Sequence, residues 1–166
     1  GNFNCNQGFL TSLKGSPIKV GKNFDCGHNN LISLEYGPSE VGGNFYCEHN
    51  KLTSLEHCPI NIEGHFLCNS NKLTSLEHCP KKVGLNFECE YNHLDTLMYC
   101  PSDIGGDLYC ENCGLPTSFS DTYDYDMSFE ERSVFIKYMN YYDVWTPEFS
   151  ENNMNYLVAE MNDGLR

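Results

Sequence analysis

A cysteine recurs every 21 residues over the first two thirds of the chain, and this period constrains the fold more than any other feature of the sequence. Phenylalanine, leucine, proline and valine or isoleucine columns keep the same period, so residues 1–116 contain about six copies of one unit. The main cysteine column comprises Cys5, Cys26, Cys47, Cys68, Cys89 and Cys110. Because a unit this short cannot bury its apolar side chains alone, the period predicts coils that stack into a solenoid.

Each copy contains one short segment in which apolar residues alternate with polar ones, as in residues 44–48. This alternation predicts a strand with one buried face. Two leucines and a proline follow, and the proline lies too close to the next strand to leave room for a helix. The return of each coil is therefore predicted to be extended or 3₁₀, and the strands to lie parallel and in register, about 4.8 Å apart.

The segment Phe45-x-Cys47-x-x-Asn50-x-Leu52-x-x-Leu55 resembles the leucine-rich repeat family, whose core pattern is L-x-L-x-x-N-x-L-x-x-L. The unit length and the proline column look most like short bacterial-type repeats, and the motif Gly-Gly-Asn-Phe-x-Cys resembles repeats of tailed-phage proteins. The resemblance covers roughly 70% of the chain. It implies an α/β-class repeat solenoid with six short parallel strands on the concave face, a non-helical convex side and a C-terminal helical cap.

Nine of the ten cysteines fall in two columns of the repeat, the second being Cys58, Cys79 and Cys100. The geometry does not forbid disulfides, but the second column lacks cysteine in the early copies, so we predict buried free thiols and a reducing cytoplasm. Cys110 and Cys113 form a C-x-x-C, a pattern of redox or zinc sites, but both residues occupy repeat positions. The sequence therefore predicts no metal site and no cofactor.

Two polar columns are also periodic. Asn29, Asn50, Asn71 and Asn92 are predicted to satisfy backbone groups where the strand turns. A second column precedes the strand phenylalanine and consists of Asn2, Asn23, Asn44, His65, Asn86 and Asp107. The histidine columns, His28 with His49 and His57 with His78, are predicted to form surface ladders rather than metal sites.

The outward positions of the strands vary freely and contain no lysine or arginine, whereas the core columns barely change. This sign bias, together with the tyrosines, predicts a docking surface for a basic protein rather than an ordinary solvated face. The predicted partner-binding residues are Asp25, Tyr46, Glu48, Glu88, Glu90, Tyr91, Tyr109 and Glu111.

Residues 117–166 differ in composition, with ten acidic and three basic side chains. Residues 117–126 lack apolar periodicity and are predicted to be a loop whose Tyr123 and Tyr125 extend the binding surface. A capping box at residues 128–131 starts a first helix, and a second is predicted to begin near Thr146-Pro147 or Ser150 and to end at residues 163–164. The two helices are expected to cover the last coil. The first coil is left without a cap, which points to an upstream segment or a second copy there.

The predicted buried faces of these helices consist of Val134, Phe135, Tyr138, Met139 and Tyr142, and of Met154, Leu157, Val158 and Met161.

The formal charge of −13 argues against direct binding to nucleic acid and to anionic membranes. There is no apolar run long enough to span a bilayer, no signal peptide and no catalytic motif, so an enzyme is not predicted. The predicted function is protein binding through the acidic face. The resemblance to phage repeats implies an inhibitor of a host (defence) protein in the host cytoplasm. Two alternatives stay open: a nucleic-acid mimic, and a structural component that forms homo-oligomers through the first coil.

Overall fold

The computed structural model describes residues 1–146 and 148–165, and for residues 124–126, 129 and 146 it describes the backbone alone. Residues 1–116 form a β-solenoid of parallel strands, and a helical region follows. Part of the predicted start of the second helix, Pro147, lies outside the described residues. Within the described chain, none of the helices reaches the length and hydrophobicity that a bilayer crossing requires.

The first sheet has six parallel strands, one from each copy of the repeat. Partners along the sheet are one repeat apart, so that Phe24 pairs with Phe45 and Phe45 with Phe66. This register is the one that the 21-residue period predicts. The strands are β1 (Phe3–Asn4), β3 (Phe24–Asp25), β5 (Phe45–Tyr46), β7 (Phe66–Leu67), β9 (Phe87–Glu88) and β11 (Leu108–Tyr109).

The return of each coil forms a second parallel sheet of five strands. The sequence left an extended or a 3₁₀ return open, and the structure has the extended one. The reason is local: a buried valine or isoleucine follows the proline, and its strand pairs with the equivalent strand of the next coil, as Val20 does with Val41. The strands are β2 (Lys19–Val20), β4 (Glu40–Val41), β6 (Asn61–Ile62), β8 (Lys82–Val83) and β10 (Asp103–Ile104).

The core between the sheets is a set of ladders, each made by one column of the repeat. The phenylalanine rings follow one another at 5.2–5.8 Å between centroids, from Phe3 to Phe87. The cysteines from Cys26 to Cys110 and the leucines beside them are almost completely buried. All ten thiols are free, as predicted, and burial raises the pKa of Cys47, which keeps it a protonated, apolar packing group.

The asparagine ladder satisfies buried backbone groups, as predicted. The side-chain amide of Asn50 donates to the carbonyls of Cys26, Cys47 and Glu48 at 3.0–3.2 Å, and its oxygen accepts the Leu31 N–H at 2.9 Å. The same pattern recurs at Asn71 and Asn92. These side chains are therefore structural and lie 4–8% exposed.

Each coil turns through two corners whose residues have a positive φ. The first corner column has φ between 52° and 54° and consists of Gln7, His28, His49, Ser70, Tyr91 and Asn112. The second corner column consists of Gly15, Tyr36, His57, His78 and Tyr99. The residue types of the first corner column vary freely, but its backbone geometry is fixed from coil to coil.

Residues 117–126 are helical, and the prediction of a loop there was wrong. The segment comprises α1 (Thr117–Ser120) and a π-helix (Asp121–Asp126). Phe119 and Tyr123 lie one helical turn apart, stack at 5.5 Å and are completely buried. Tyr123 therefore packs in the core instead of extending the binding surface, because its ring fills the end of the solenoid and its hydroxyl donates to the Leu108 carbonyl at 3.4 Å. The side chain of Tyr125 lies outside the described residues.

The two predicted helices are present as α2 (Phe129–Tyr138) and α3 (Glu151–Asn162). The capping box of Ser128 and Glu131 is formed, Ser150 caps α3, and Gly164 follows with a φ of 107°. A hairpin that the sequence analysis missed, β12 (Trp145–Thr146) with β13 (Glu148–Phe149), joins them.

The helical region shares one continuous core with the solenoid and buries Leu108 and Cys110 of the last coil, as a cap must. On the predicted helix faces, Phe135, Met139, Met154 and Leu157 are buried, whereas Val134, Tyr138, Tyr142, Val158 and Met161 are half-buried.

Candidate functional site

The outward side of the six-stranded sheet carries most of the predicted site residues, and we call it the strand face. Its first column is the second residue of each strand: Asn4, Asp25, Tyr46, Leu67, Glu88 and Tyr109. Its second column lies two residues further on: Asn6, Gly27, Glu48, Asn69, Glu90 and Glu111. The seven lysines of the solenoid, at positions 14, 19, 22, 51, 72, 81 and 82, are exposed and lie outside both columns.

A shallow recess of about 390 Å³ lies in the middle of the strand face. The structure brings four of the eight predicted residues together around it, and adds one histidine and one leucine. Its lining comprises Asp25, Tyr46, Glu48, His65, Leu67 and Glu88. The recess therefore offers carboxylates, a phenol and an imidazole around one half-buried aliphatic side chain, Leu67.

Glu48 lies deep in the recess, with a side chain only 17% exposed. The neighbouring coil has Gly27 at the equivalent position, and an added Cβ there would collide with the Glu48 carboxylate. The missing side chain thus lets Glu48 lie against bare backbone, where Oε2 is buried without a hydrogen-bond partner. Burial raises the pKa of Glu48, whereas a hydrogen bond from its own backbone N–H and, less strongly, His28 at 3.9 Å oppose that rise.

The carboxylates of the later coils continue the acidic surface from the recess. Burial raises the pKa of Glu88, and His65 opposes that rise. Burial also raises the pKa of Glu90; a hydrogen bond from its own backbone N–H opposes this rise, and the charges of Glu88 and Glu111 add to it. Glu90 Oε2 is buried and unpaired, as Glu48 Oε2 is. Glu111 is exposed at the cap end of its column. Glu48 and Glu90 thus each keep one carboxylate oxygen that has lost water without gaining an internal hydrogen-bond partner, which is unfavourable for a charged group.

Asp25, by contrast, has its hydrogen bonds satisfied from within the chain. Its oxygens accept from the Asn6 side chain at 2.6 Å and from the Gly27 N–H at 3.1 Å. It is therefore a fixed negative charge at one rim of the recess, with little freedom to rotate toward a ligand.

The three predicted tyrosines do not share one environment. Tyr46 lines the recess and its hydroxyl accepts from Asn44, whereas Tyr109 donates to Asp107 at 3.4 Å near the cap. Burial and then Asp107 raise the pKa of Tyr109. Tyr91 does not line the recess: it occupies the first corner column and is 59% exposed. Tyr91 therefore belongs to the margin of the strand face.

His65 is the polar recess residue that the sequence did not predict. Its Nδ1 accepts the Asn86 N–H at 3.3 Å, at the position where other members of its column present a side-chain oxygen, as Asn44 does to the His65 N–H. The imidazole keeps the ladder because it has an acceptor nitrogen. The replacement of asparagine by histidine in this column was the sequence signal that could have identified His65. Nearby, the rings of His28 and His49 stack at 4.3 Å and form the predicted surface ladder.

The cysteine motif near the cap has a structural role. Cys113 Sγ donates to the Cys89 carbonyl at 3.3 Å, the bond that Asn92 makes to Cys68 one coil earlier. Burial raises the pKa of Cys113, which disfavours the reactive thiolate. Among the described residues, no cluster of three or more His, Cys, Asp or Glu side chains is arranged to hold a metal ion.

Comparison of the chain with protein-family models, with curated proteins and with solved structures found no match. The chemistry of the site therefore rests on its own geometry: an acidic, partly desolvated surface with an aliphatic and aromatic centre.

Proposed function

We propose that the chain is a leucine-rich-repeat-type solenoid whose strand face, concave in that family, binds a basic protein surface. The observation that carries the proposal is the pair of carboxylates, Glu48 and Glu90, each with a buried oxygen that no group of the described chain pairs with. In this proposal the two side chains rotate toward a lysine or arginine of the partner, which supplies the missing donors.

Folding of the chain has already removed much of the water from these carboxylates, before any partner binds. A partner cation consequently gains charge-assisted hydrogen bonds with less of the desolvation penalty that usually offsets an interfacial ion pair. Leu67 and Tyr46 provide the apolar and aromatic centre that interface anchors require. Binding by electrostatics also predicts a fast, salt-sensitive association.

The proposal is tested by reversing the charge of Glu48, Glu88, Glu90 and Glu111 to lysine and measuring capture of host-lysate proteins at low and high salt. A matched control reverses four acidic residues outside the strand face, Glu63, Asp95, Glu148 and Asp163, and so has the same net charge. We expect the first variant to lose capture and the control to retain it, with unchanged circular dichroism for both. Equal capture by the two variants would contradict the assignment of the binding site to the strand face.

A nucleic-acid mimic is the second candidate, because the strand-face carboxylates of Asp25, Glu48, Glu88, Glu90 and Glu111 span successive coils. Leu67 and Asn69 interrupt this track in the middle, which a phosphate imitation does not explain. Duplex DNA added as a competitor separates the two: displacement of the captured partner supports mimicry, and indifference supports protein docking. An inhibitory role against a host protein rests on the resemblance to phage repeats alone.

A further inference from the structure

The second corner column places large rings at a backbone position that favours glycine. Tyr36, His57, His78 and Tyr99 have φ values of 66° to 71°. Each is the third residue of a four-residue turn, closed for example by the Cys58 N–H donating to the Leu55 carbonyl at 3.0 Å. The first coil has Gly15 there, so the fold itself does not require a ring. Four successive coils nonetheless accept the unfavourable conformation with an aromatic or imidazole side chain.

These rings are directed at solvent rather than into the core. Tyr36 and Tyr99 are 56% and 54% exposed, and the side chains of His57 and His78 are 49% and 53% exposed. Packing inside the chain therefore does not account for the column. A row of half-exposed rings, one per coil, is the kind of surface that proteins use to bind a ligand.

An acidic column runs beside the rings. Glu56 and Glu77 lie 3.9 Å from the imidazoles of His57 and His78, and Glu35 hydrogen-bonds with Tyr36. The three glutamates are exposed. Near Tyr99, a groove of about 240 Å³ runs between two coils and is lined by Pro80, Lys81 and Pro101 among others. The surface consequently combines rings, one groove and three glutamates, with a lysine at the groove near Tyr99.

The spacing of the column selects the conformation of a ligand. Hydrogen-bonded coils repeat about every 4.8 Å, so alternate rings lie about 9.6 Å apart. A polyproline II helix repeats every three residues, at about 9.3 Å per turn. A segment in this conformation, running along the solenoid, presents the same side to Tyr36 and His78, or to His57 and Tyr99.

We propose that the second corner column is a binding site for a basic, proline-rich segment of a protein in the polyproline II conformation. Proline rings pack against the exposed rings, which is how aromatic grooves bind such segments generally. Arginine or lysine at every third position meets Glu35, Glu56 or Glu77. The site lies apart from the strand face, so it does not depend on the function proposed there.

The test measures binding of fluorescent peptides to the full chain by anisotropy. One peptide has four Pro-Pro-Arg repeats, and its control has four Gly-Ser-Arg repeats with the same charge but no polyproline preference. We expect the proline peptide to bind about tenfold more tightly than the control, because it is preorganised and packs against the rings. Equal affinity would show unspecific attraction to an acidic protein and would overturn the proposal.

A column variant localises the site: Tyr36→Asn, His57→Asn, His78→Asn and Tyr99→Asn together. Asparagine tolerates a positive φ, so the variant should melt at or above the wild-type temperature while the tenfold preference disappears. A strand-face variant, Tyr46→Ala with Tyr109→Ala, should retain the preference.

A column variant that keeps the preference overturns the proposal. If the column variant does not fold, a second variant that keeps the rings is used: Glu35→Gln, Glu56→Gln and Glu77→Gln together. We expect it to bind the proline peptide more weakly than the wild type does. An unchanged affinity also overturns the proposal. Displacement of the peptide by a neutral oligosaccharide would indicate that the rings bind a sugar, and it would overturn the proposal as well.

Discussion

Replacement of Asn50 tests whether the asparagine ladder holds the coils together. The Asn50 side chain contacts three carbonyls, those of Cys26, Cys47 and Glu48, and accepts the N–H of Leu31. It is 8% exposed, so water does not readily replace it.

The hydrogen bonds that remain in the neighbouring coils determine how much stability is lost on Asn50→Ala. After Asn50→Ala the Cys26 carbonyl keeps the Asn29 amide at 3.1 Å, the Cys47 carbonyl keeps Asn71 at 3.0 Å, and the Glu48 carbonyl keeps the His28 N–H at 3.0 Å. The buried Leu31 N–H alone loses its partner. We therefore expect a loss of about 1–3 kcal/mol, the cost of one unsatisfied buried donor.

Asn50→Asp changes almost no volume but is expected to be worse than Asn50→Ala. The introduced carboxylate still accepts from Leu31 and turns its other oxygen toward the carbonyls, so an uncompensated charge is buried at about 3–5 kcal/mol. Its pKa is raised in the folded state, and the lost stability therefore returns as the pH falls toward the ordinary carboxyl value.

The assay is guanidinium unfolding followed by far-ultraviolet circular dichroism, at neutral and at mildly acidic pH. The control is Asn61→Ala at an exposed strand position, expected to stay within about 0.5 kcal/mol of wild type. An aspartate variant as stable as the alanine variant at neutral pH would refute the ladder argument.

Three further predictions follow from the site and the cap. Glu48→Gln with Glu90→Gln should raise the melting temperature at neutral pH, because burial raises both pKa values and folding then penalises the charged form; the gain should shrink as the pH falls through the raised values, and a gain independent of pH would contradict this. His65→Ala should cost about 1 kcal/mol by chemical unfolding, since the Asn86 N–H loses its acceptor, whereas His65→Asn should be neutral; equal losses would exclude the ladder role. Tyr123→Ala should cost about 3–5 kcal/mol and expose the end of the solenoid to a hydrophobic dye, and a mild loss would argue against capping.

The regular part of the fold was predictable because each coil repeats the same local physics. The strand register from Phe24 to Phe87 and the role of Asn50 follow from columns that barely vary. The second sheet was only half predicted, since a proline column excludes a helix but does not specify whether the extended returns of neighbouring coils pair.

Elsewhere the sequence lacked a usable signal. Phe119 and Tyr123 lie in a segment too short for periodicity, and their burial is set by the aromatic cluster with Trp145 and Phe135, which only tertiary contacts bring together. The burial of Glu48 depends on Gly27 of another coil, a pairing that is visible only once the coils are stacked.

The central claim is that the strand face binds a basic partner through Glu48, Glu88 and Glu90. Carbodiimide labelling of carboxyl groups, read by mass spectrometry with and without the captured partner, tests it most directly. The account predicts protection of these three glutamates on binding, with Glu63 and Glu148 labelled equally in both states. Protection of Glu63 and Glu148 with unchanged labelling of the strand face would contradict it.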